Sequence, residues 1–356
     1  MQLMSFESTA QRVLYRYLFS FADFSPIESA AGVDAQKAFY AICKPIVQSV
    51  AGKPEWLGLP TALPDQWLGA HETLNMYPEL YKVRSDCQKT FVDLACFLFC
   101  AGQMGHCEDE RLVVKKTDLP KTNAKRLGMY KELFGHSGIL MTDGGDVLLF
   151  QIPSSPDALS AWKVRAALCA EKKAHPREQA LLFMLWIYEH DDSCFLERIR
   201  VLLGLEEDFF HKVAKAYRQK GYDVAFKIDE YKTSVTYSKN ISGLSIEFAT
   251  LWPTVRFVNR SCIGIKAILE NAAECDGEFV RQLVQFCRPC TDCMGCTKGG
   301  KNRQFTVGIQ IDHNEHRVCP EFVQMEWYNG DISMDKIEFL LALNELQEKY
   351  GKKQQK

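Results

Sequence analysis

The segment from Cys287 to Cys319 constrains this chain more than any other. It reads Cys287-Arg-Pro-Cys290-Thr-Asp-Cys293-Met-Gly-Cys296-Thr-Lys-Gly-Gly, with four cysteines at every third position. A Cys-x-x-Cys turn lets two sulfurs converge on one ion while backbone N–H groups offset the thiolate charge. Downstream, Phe305, Val307, Ile309 and Ile311 alternate as a strand, Asp312–Glu315 turns the chain, and the return carries His316, Cys319 and Pro320. A cysteine knuckle, a hairpin and a ligand pair on the returning strand describe a zinc ribbon. The spacing predicts structural Zn2+ held by Cys290, Cys293, Cys296 and Cys319, with Cys287 and His316 as alternate ligands. The competing reading is a [4Fe–4S] cluster on Cys287, Cys290, Cys293 and Cys319-Pro320, which would make the chain a redox protein. A structural zinc fills all its positions with protein and performs no chemistry.

The cysteine count would suggest disulfides in a small secreted protein, but this chain is long and reads as lacking an export signal. There are 14 in 356 residues. The N-terminus has no cationic start followed by an apolar run, so it does not read as a signal peptide. The longest apolar runs, Phe91–Gly102 and Ala180–Tyr188, are too short to span a bilayer. A cytoplasmic protein with reduced thiols and no membrane association is the expectation. The cysteines outside the cluster read as small buried hydrophobes.

The rest of the chain reads as α+β. Residues 1–105 form a mostly helical region, with Val13, Tyr17 and Phe21, then Phe91, Ala95 and Leu98, at helical spacing. Between these lies a breaker-rich loop with Trp56, Trp67, Tyr77 and Tyr81. Those aromatics could line an enzyme's ligand site or simply pin the loop to the core. Whether the chain is an enzyme stays open. It carries no Walker-type loop, dinucleotide-binding glycine pattern, His-Glu-x-x-His helix or Gly-x-Ser-x-Gly elbow.

Residues 106–205 read as an α+β unit followed by a helix. Arg111–Lys116 is a predicted strand, and Pro120 opens a helix to about Phe134 with Leu127, Tyr130 and Phe134 on one face. Ile139–Met141 and Val147–Phe150 flank the turn Asp143-Gly144-Gly145-Asp146. Ser155-Pro156-Asp157 is a predicted helix start with serine as the cap. The order resembles a winged helix with the hairpin as its wing, although the usual two-helix turn is not visible. The segment concentrates Arg111, Lys115, Lys116, Lys121, Lys125, Arg126 and Lys131 against Asp118 alone. Net charge over the whole chain is −2, so any nucleic-acid binding must be local. Lys121, Lys125, Arg126 and Lys131 are the candidate phosphate contacts, with a solvated structural face as the alternative. The acidic run Glu189-His190-Asp191-Asp192 reads as a solvated helix end rather than a site.

Residues 206–356 read as a second α+β unit, with a metal-binding ribbon at 287–327 and a terminal helix. Phe210, Val213, Ala214 and Tyr217 mark a helix face, Gly221 a stop, and the alternating segments up to Phe257 an antiparallel sheet. The basic residues Arg281, Arg288, Lys298, Lys301 and Arg303 surround the cysteines.

This half resembles a group of uncharacterised bacterial proteins in Phe210–Phe257, Cys287–Cys296, Phe305–Ile311 and Cys319–Trp327. The resemblance implies an all-cysteine site using Cys319, and a cytoplasmic bacterial origin, but no activity. The combined expectation is a zinc-stabilised binding protein whose partner is nucleic acid or protein. An iron–sulfur redox protein and an enzyme are the alternatives. Oligomeric state is not readable.

Overall fold

Helix periodicity in the first third becomes three helices in the computed structural model: α1 (Thr9–Ser20), α2 (Val33–Gly52) and α3 (Pro78–Met104). The structure describes residues 9–57, 59, 78–187, 193–229, 232–249, 254–259, 264–289, 307–311, 313–319, 325–328 and 331–350. The chain divides into two compact units. One comprises residues 1–198 with 227–233 and 248–254, and the other 199–226, 234–247 and 255–356.

In the first unit, α3 leads into β1 (His106–Glu108) and β2 (Arg111–Lys115). A single 3-10 turn, Lys116–Asp118, precedes α4 (Ala124–His136), and β3 (Leu140–Asp143) and β4 (Val147–Gln151) complete an antiparallel sheet in the order β1-β2-β4-β3. The inner face of that sheet carries Leu112, Val114, Met141, Leu148 and Phe150, all buried. Their register, Leu112 opposite Phe150 and Val114 opposite Leu148, follows from the period-two side-chain alternation of strands.

α5 (Ala158–Ala170) and α6 (Pro176–Met184) pack against α3. Their joint centre is Trp162, fully buried, whose Nε1 donates to the Leu98 carbonyl at 2.9 Å. Phe39 stacks on it with centroids 5.4 Å apart, and Phe150 meets it edge-on at 5.4 Å. α3 accommodates this indole because position 102 is glycine. A Cβ there would lie 2.4 Å from Trp162 Cδ1 and 2.9 Å from Ala166 Cβ. The last turn of α6 leaves carbonyls without intrahelical partners. Buried Arg165 supplies them, donating from Nε to Phe183 at 2.9 Å and from Nη2 to Leu182 at 3.0 Å.

α7 (Ser193–Leu203) carries the chain onward. Then come α8 (Phe209–Gln219), β5 (Asp223–Ile228), β6 (Lys232–Lys239), β7 (Ser242–Ala249) and β8 (Thr254–Asn259). α9 (Ile265–Glu270), α10 (Gly277–Phe286), β9 (Arg288–Pro289), β10 (Val307–Ile311), β11 (Asn314–Cys319), β12 (Glu326–Tyr328) and α11 (Met334–Tyr350) follow. A five-stranded sheet runs β12-β8-β7-β6-β5, and a small one runs β10-β11-β9. Gly221, at φ 76, ends α8 in the left-handed conformation that favours glycine. Tyr237, Leu244, Ile246 and Phe257 form the sheet's apolar face, and Tyr217 of α8 meets it with its ring 5.0 Å from that of Tyr237. α11 is tied to the β6–β7 turn by Glu348, which accepts from Asn240 Nδ2 and Ser242 Oγ, both at 2.9 Å.

Candidate nucleic-acid interface

The four-stranded sheet runs β1-β2-β4-β3, with α4 between β2 and β3 and a hairpin joining β3 to β4. The element between β2 and α4 is the 3-10 turn Lys116–Asp118, not the first helix of a helix-turn-helix pair. α4 then starts later than the sequence predicts. Pro120 stays extended, the Thr122 hydroxyl donates to the Pro120 carbonyl at 2.8 Å, and Asn123 is the cap. Asn123 Oδ1 accepts the Arg126 amide at 2.9 Å, satisfying one of the first-turn donors. The apolar face is the predicted one with Leu133 added: Tyr130, Leu133 and Phe134 are buried, and Leu127 is half-buried.

The four candidate phosphate contacts divide. Lys125 and Lys131 are exposed on the outer face of α4, and Lys121 is exposed in the segment leading to it. Among the described residues none of these three has an ion-pair partner. Arg126 differs: its Nη1 lies 2.7 Å from Asp93 Oδ2, so it ties α4 to α3. Gly128 and Gly135 share the exposed face, and a Cβ at either would meet nothing within 4 Å. Backbone on this face is therefore reachable by a ligand. Glu132, also exposed, is the opposing charge on α4.

The β3–β4 hairpin is acidic rather than basic. Lys116 Nζ donates to both Asp143 oxygens at 2.7 and 2.8 Å, and Asp143 Oδ1 also accepts the Gly145 amide at 2.9 Å. The lysine beside it, together with that amide, holds the Asp143 carboxyl below its usual range. Asp146 is exposed at the tip. Phosphate would be repelled there, which leaves Lys121 and the outer face of α4 as the candidate surface.

The metal expectation is corrected. Among the described residues no group of three or more His, Cys, Asp or Glu side chains is gathered to hold an ion. Cys290, Cys293 and Cys296 lie outside the described residues. Cys319 is buried at the end of β11, whereas His316 is exposed on the same strand. Three residues apart on a strand, their side chains point to opposite faces, so they cannot share a tetrahedral site. Cys287 is buried, and its Sγ is directed at the Leu283 carbonyl, 3.4 Å away, within α10 and its cap. Structural zinc, the [4Fe–4S] alternative, the zinc-ribbon module of the fold class and the all-cysteine site implied by the bacterial resemblance all fall with this finding. What remains is α+β: helices first, then two helix-and-sheet units, with β10-β11-β9 as a plain three-stranded sheet.

Other expected features resolve differently. Glu189-His190-Asp191-Asp192 lies outside the described residues, as do Trp67 and Tyr77. Trp56 stacks on His136 with centroids 4.7 Å apart, and Lys53 Nζ sits 4.8 Å from its ring. Its faces are occupied by protein, as in a loop pinned to its neighbours. Among the described residues no helix is long and apolar enough to cross a membrane.

A buried polar row in the second unit gave no signal in the sequence. Thr236 Oγ1 and Ser245 Oγ lie 3.3 Å apart, Ser245 Oγ donates to Glu247 Oε1 at 2.9 Å, and Arg256 Nη2 donates to Glu247 Oε2 at 2.7 Å. Glu247 is 4% exposed. Alternation on β6, β7 and β8 places these residues on the face opposite the apolar core, but nothing in their spacing shows that the face is covered. The carboxylate is satisfied by its neighbours, as a structural ion pair requires.

No protein-family model, curated protein or solved structure matches this chain.

Proposed function

We propose that the first unit binds double-stranded nucleic acid through its phosphate backbone, using Lys121, Lys125 and Lys131 on and beside α4. The observation that carries this reading is the placement of those lysines. Lys125 and Lys131 project from the exposed face of α4, and Lys121 is exposed in the segment just before it. The acidic hairpin and the loss of Arg126 to Asp93 limit the contact to a few charges. The binding is therefore weak, strongly salt-dependent and indifferent to base sequence. The reading places the protein in a reducing, cytoplasmic setting, in keeping with the buried free thiols of Cys43, Cys87 and Cys169.

The test is fluorescence anisotropy of the full chain with short duplexes of unrelated sequence at several salt concentrations. Three phosphate contacts give a log–log salt slope of about −3. Similar affinity across sequences, lost in the Lys121→Ala, Lys125→Ala, Lys131→Ala triple variant, is the expected result. Absence of binding at low salt would exclude it.

A further inference from the structure

A cavity of about 430 Å³ lies in the first unit beneath the segment that leads into α4. Its apolar lining is Leu119, Pro120 and half-buried Leu127, with Phe97 from α3 and Leu148 from β4 almost wholly covered behind them. Its rim carries Lys116, Thr117 and Lys121. An apolar lining with a few polar groups at one edge is the composition of a small-molecule site.

The rim sets the sign of the ligand. Lys116 is engaged by both oxygens of the Asp143 carboxylate. The Thr117 hydroxyl donates to Asp118, which does not line the cavity. Lys121 has no ion-pair partner among the described residues and is exposed at the opening, so it is the cation that a ligand can meet there. We infer that this cavity binds a small organic anion: an apolar body of about one ring seated on Leu119, Pro120 and Leu127, with a carboxylate or phosphate monoester at Lys121. Such an anion also competes with Asp143 for Lys116. The inference shares Lys121 with the nucleic-acid reading, but it rests on the cavity and needs neither Lys125 nor Lys131.

Isothermal titration calorimetry of the full chain with benzoate, phenyl phosphate and benzyl alcohol tests it without nucleic acid present. The first two separate carboxylate from phosphate ester, and the third removes the charge. Saturable binding of at least one anion, in the millimolar range or tighter, is expected, with benzyl alcohol weaker by about tenfold for the lost charge-assisted bond. Lys121→Gln weakens the anion by about the same factor. Thr117→Trp, at an exposed rim position, fills the cavity and abolishes binding. Lys121→Gln keeps the test decisive if the tryptophan variant does not fold. Failure of both anions to bind overturns the proposal. So does benzyl alcohol binding as tightly as benzoate, or Lys121→Gln leaving the affinity unchanged. Anion binding without duplex binding would leave this cavity standing and remove the nucleic-acid reading, and the converse would do the reverse.

Discussion

Replacing Arg126 by alanine separates the structural charges of α4 from the functional ones. In sequence Arg126 and Lys125 are equivalent candidates for phosphate. In the structure Arg126 Nη1 sits 2.7 Å from Asp93 Oδ2, with side chains 32% and 30% exposed. Fully exposed pairs contribute about 0–1 kcal/mol, and breaking a fully buried one costs about 3–5 kcal/mol. One-third exposure on both partners puts Arg126→Ala between these limits and nearer the first, at about 1–2 kcal/mol. Asp93 is then left half-buried without its cation, and the arginine stem no longer covers the helix contact. Urea denaturation of Arg126→Ala, Asp93→Ala and the double variant should give a coupling energy of about 1 kcal/mol. Lys125→Ala should leave the midpoint unchanged and lower the duplex salt slope by about 0.9. The reasoning is refuted if Arg126→Ala keeps full stability while weakening duplex binding as much as Lys125→Ala does.

Other perturbations read different parts of the fold. Gly102→Ala forces a methyl to within 2.4 Å of Trp162, and overpacking of about 1–3 kcal/mol should outweigh the helix propensity of about 1 kcal/mol that alanine adds. A lowered melting temperature would show it, and an unchanged one would mean that the α3–α5 contact is looser than described. Glu247→Ala leaves Arg256 without its carboxylate and should cost about 3 kcal/mol, visible as a shift in the urea midpoint. Cys107 is exposed and should react promptly with a thiol reagent at neutral pH. Burial pushes the thiols of Cys43 and Cys87 up to about 12, so both should react only on unfolding, with mass spectrometry of the labelled peptides as the readout.

Local pattern carried the elements but not their partners. The 3.6-residue spacing of Leu127, Tyr130 and Phe134 marks α4, and Asp143-Gly144-Gly145-Asp146 marks the β3–β4 turn. The start of α4 was displaced because proline is favoured in a first turn, whereas here Asn123 caps and Pro120 stays outside. Ser155 is likewise not a side-chain cap. Its carbonyl accepts the Ala158 amide in a turn, and α5 begins after Asp157. Tertiary pairing was invisible. Arg126 meets Asp93 from 33 residues away, and Glu247 meets Arg256 across a sheet face whose burial the alternation does not reveal. The cysteine spacing misled for a related reason. A ligand set requires that side chains converge, and spacing alone does not show that His316 and Cys319 face apart.

The central claim is that α4 presents unpaired lysines to nucleic-acid phosphate. The salt dependence of duplex binding by the full chain tests it most directly. A slope of about −3, falling towards zero in the Lys121→Ala, Lys125→Ala, Lys131→Ala variant with its stability intact, is the predicted result. Binding that is absent at low salt, or that survives the triple substitution with its slope unchanged, would contradict it.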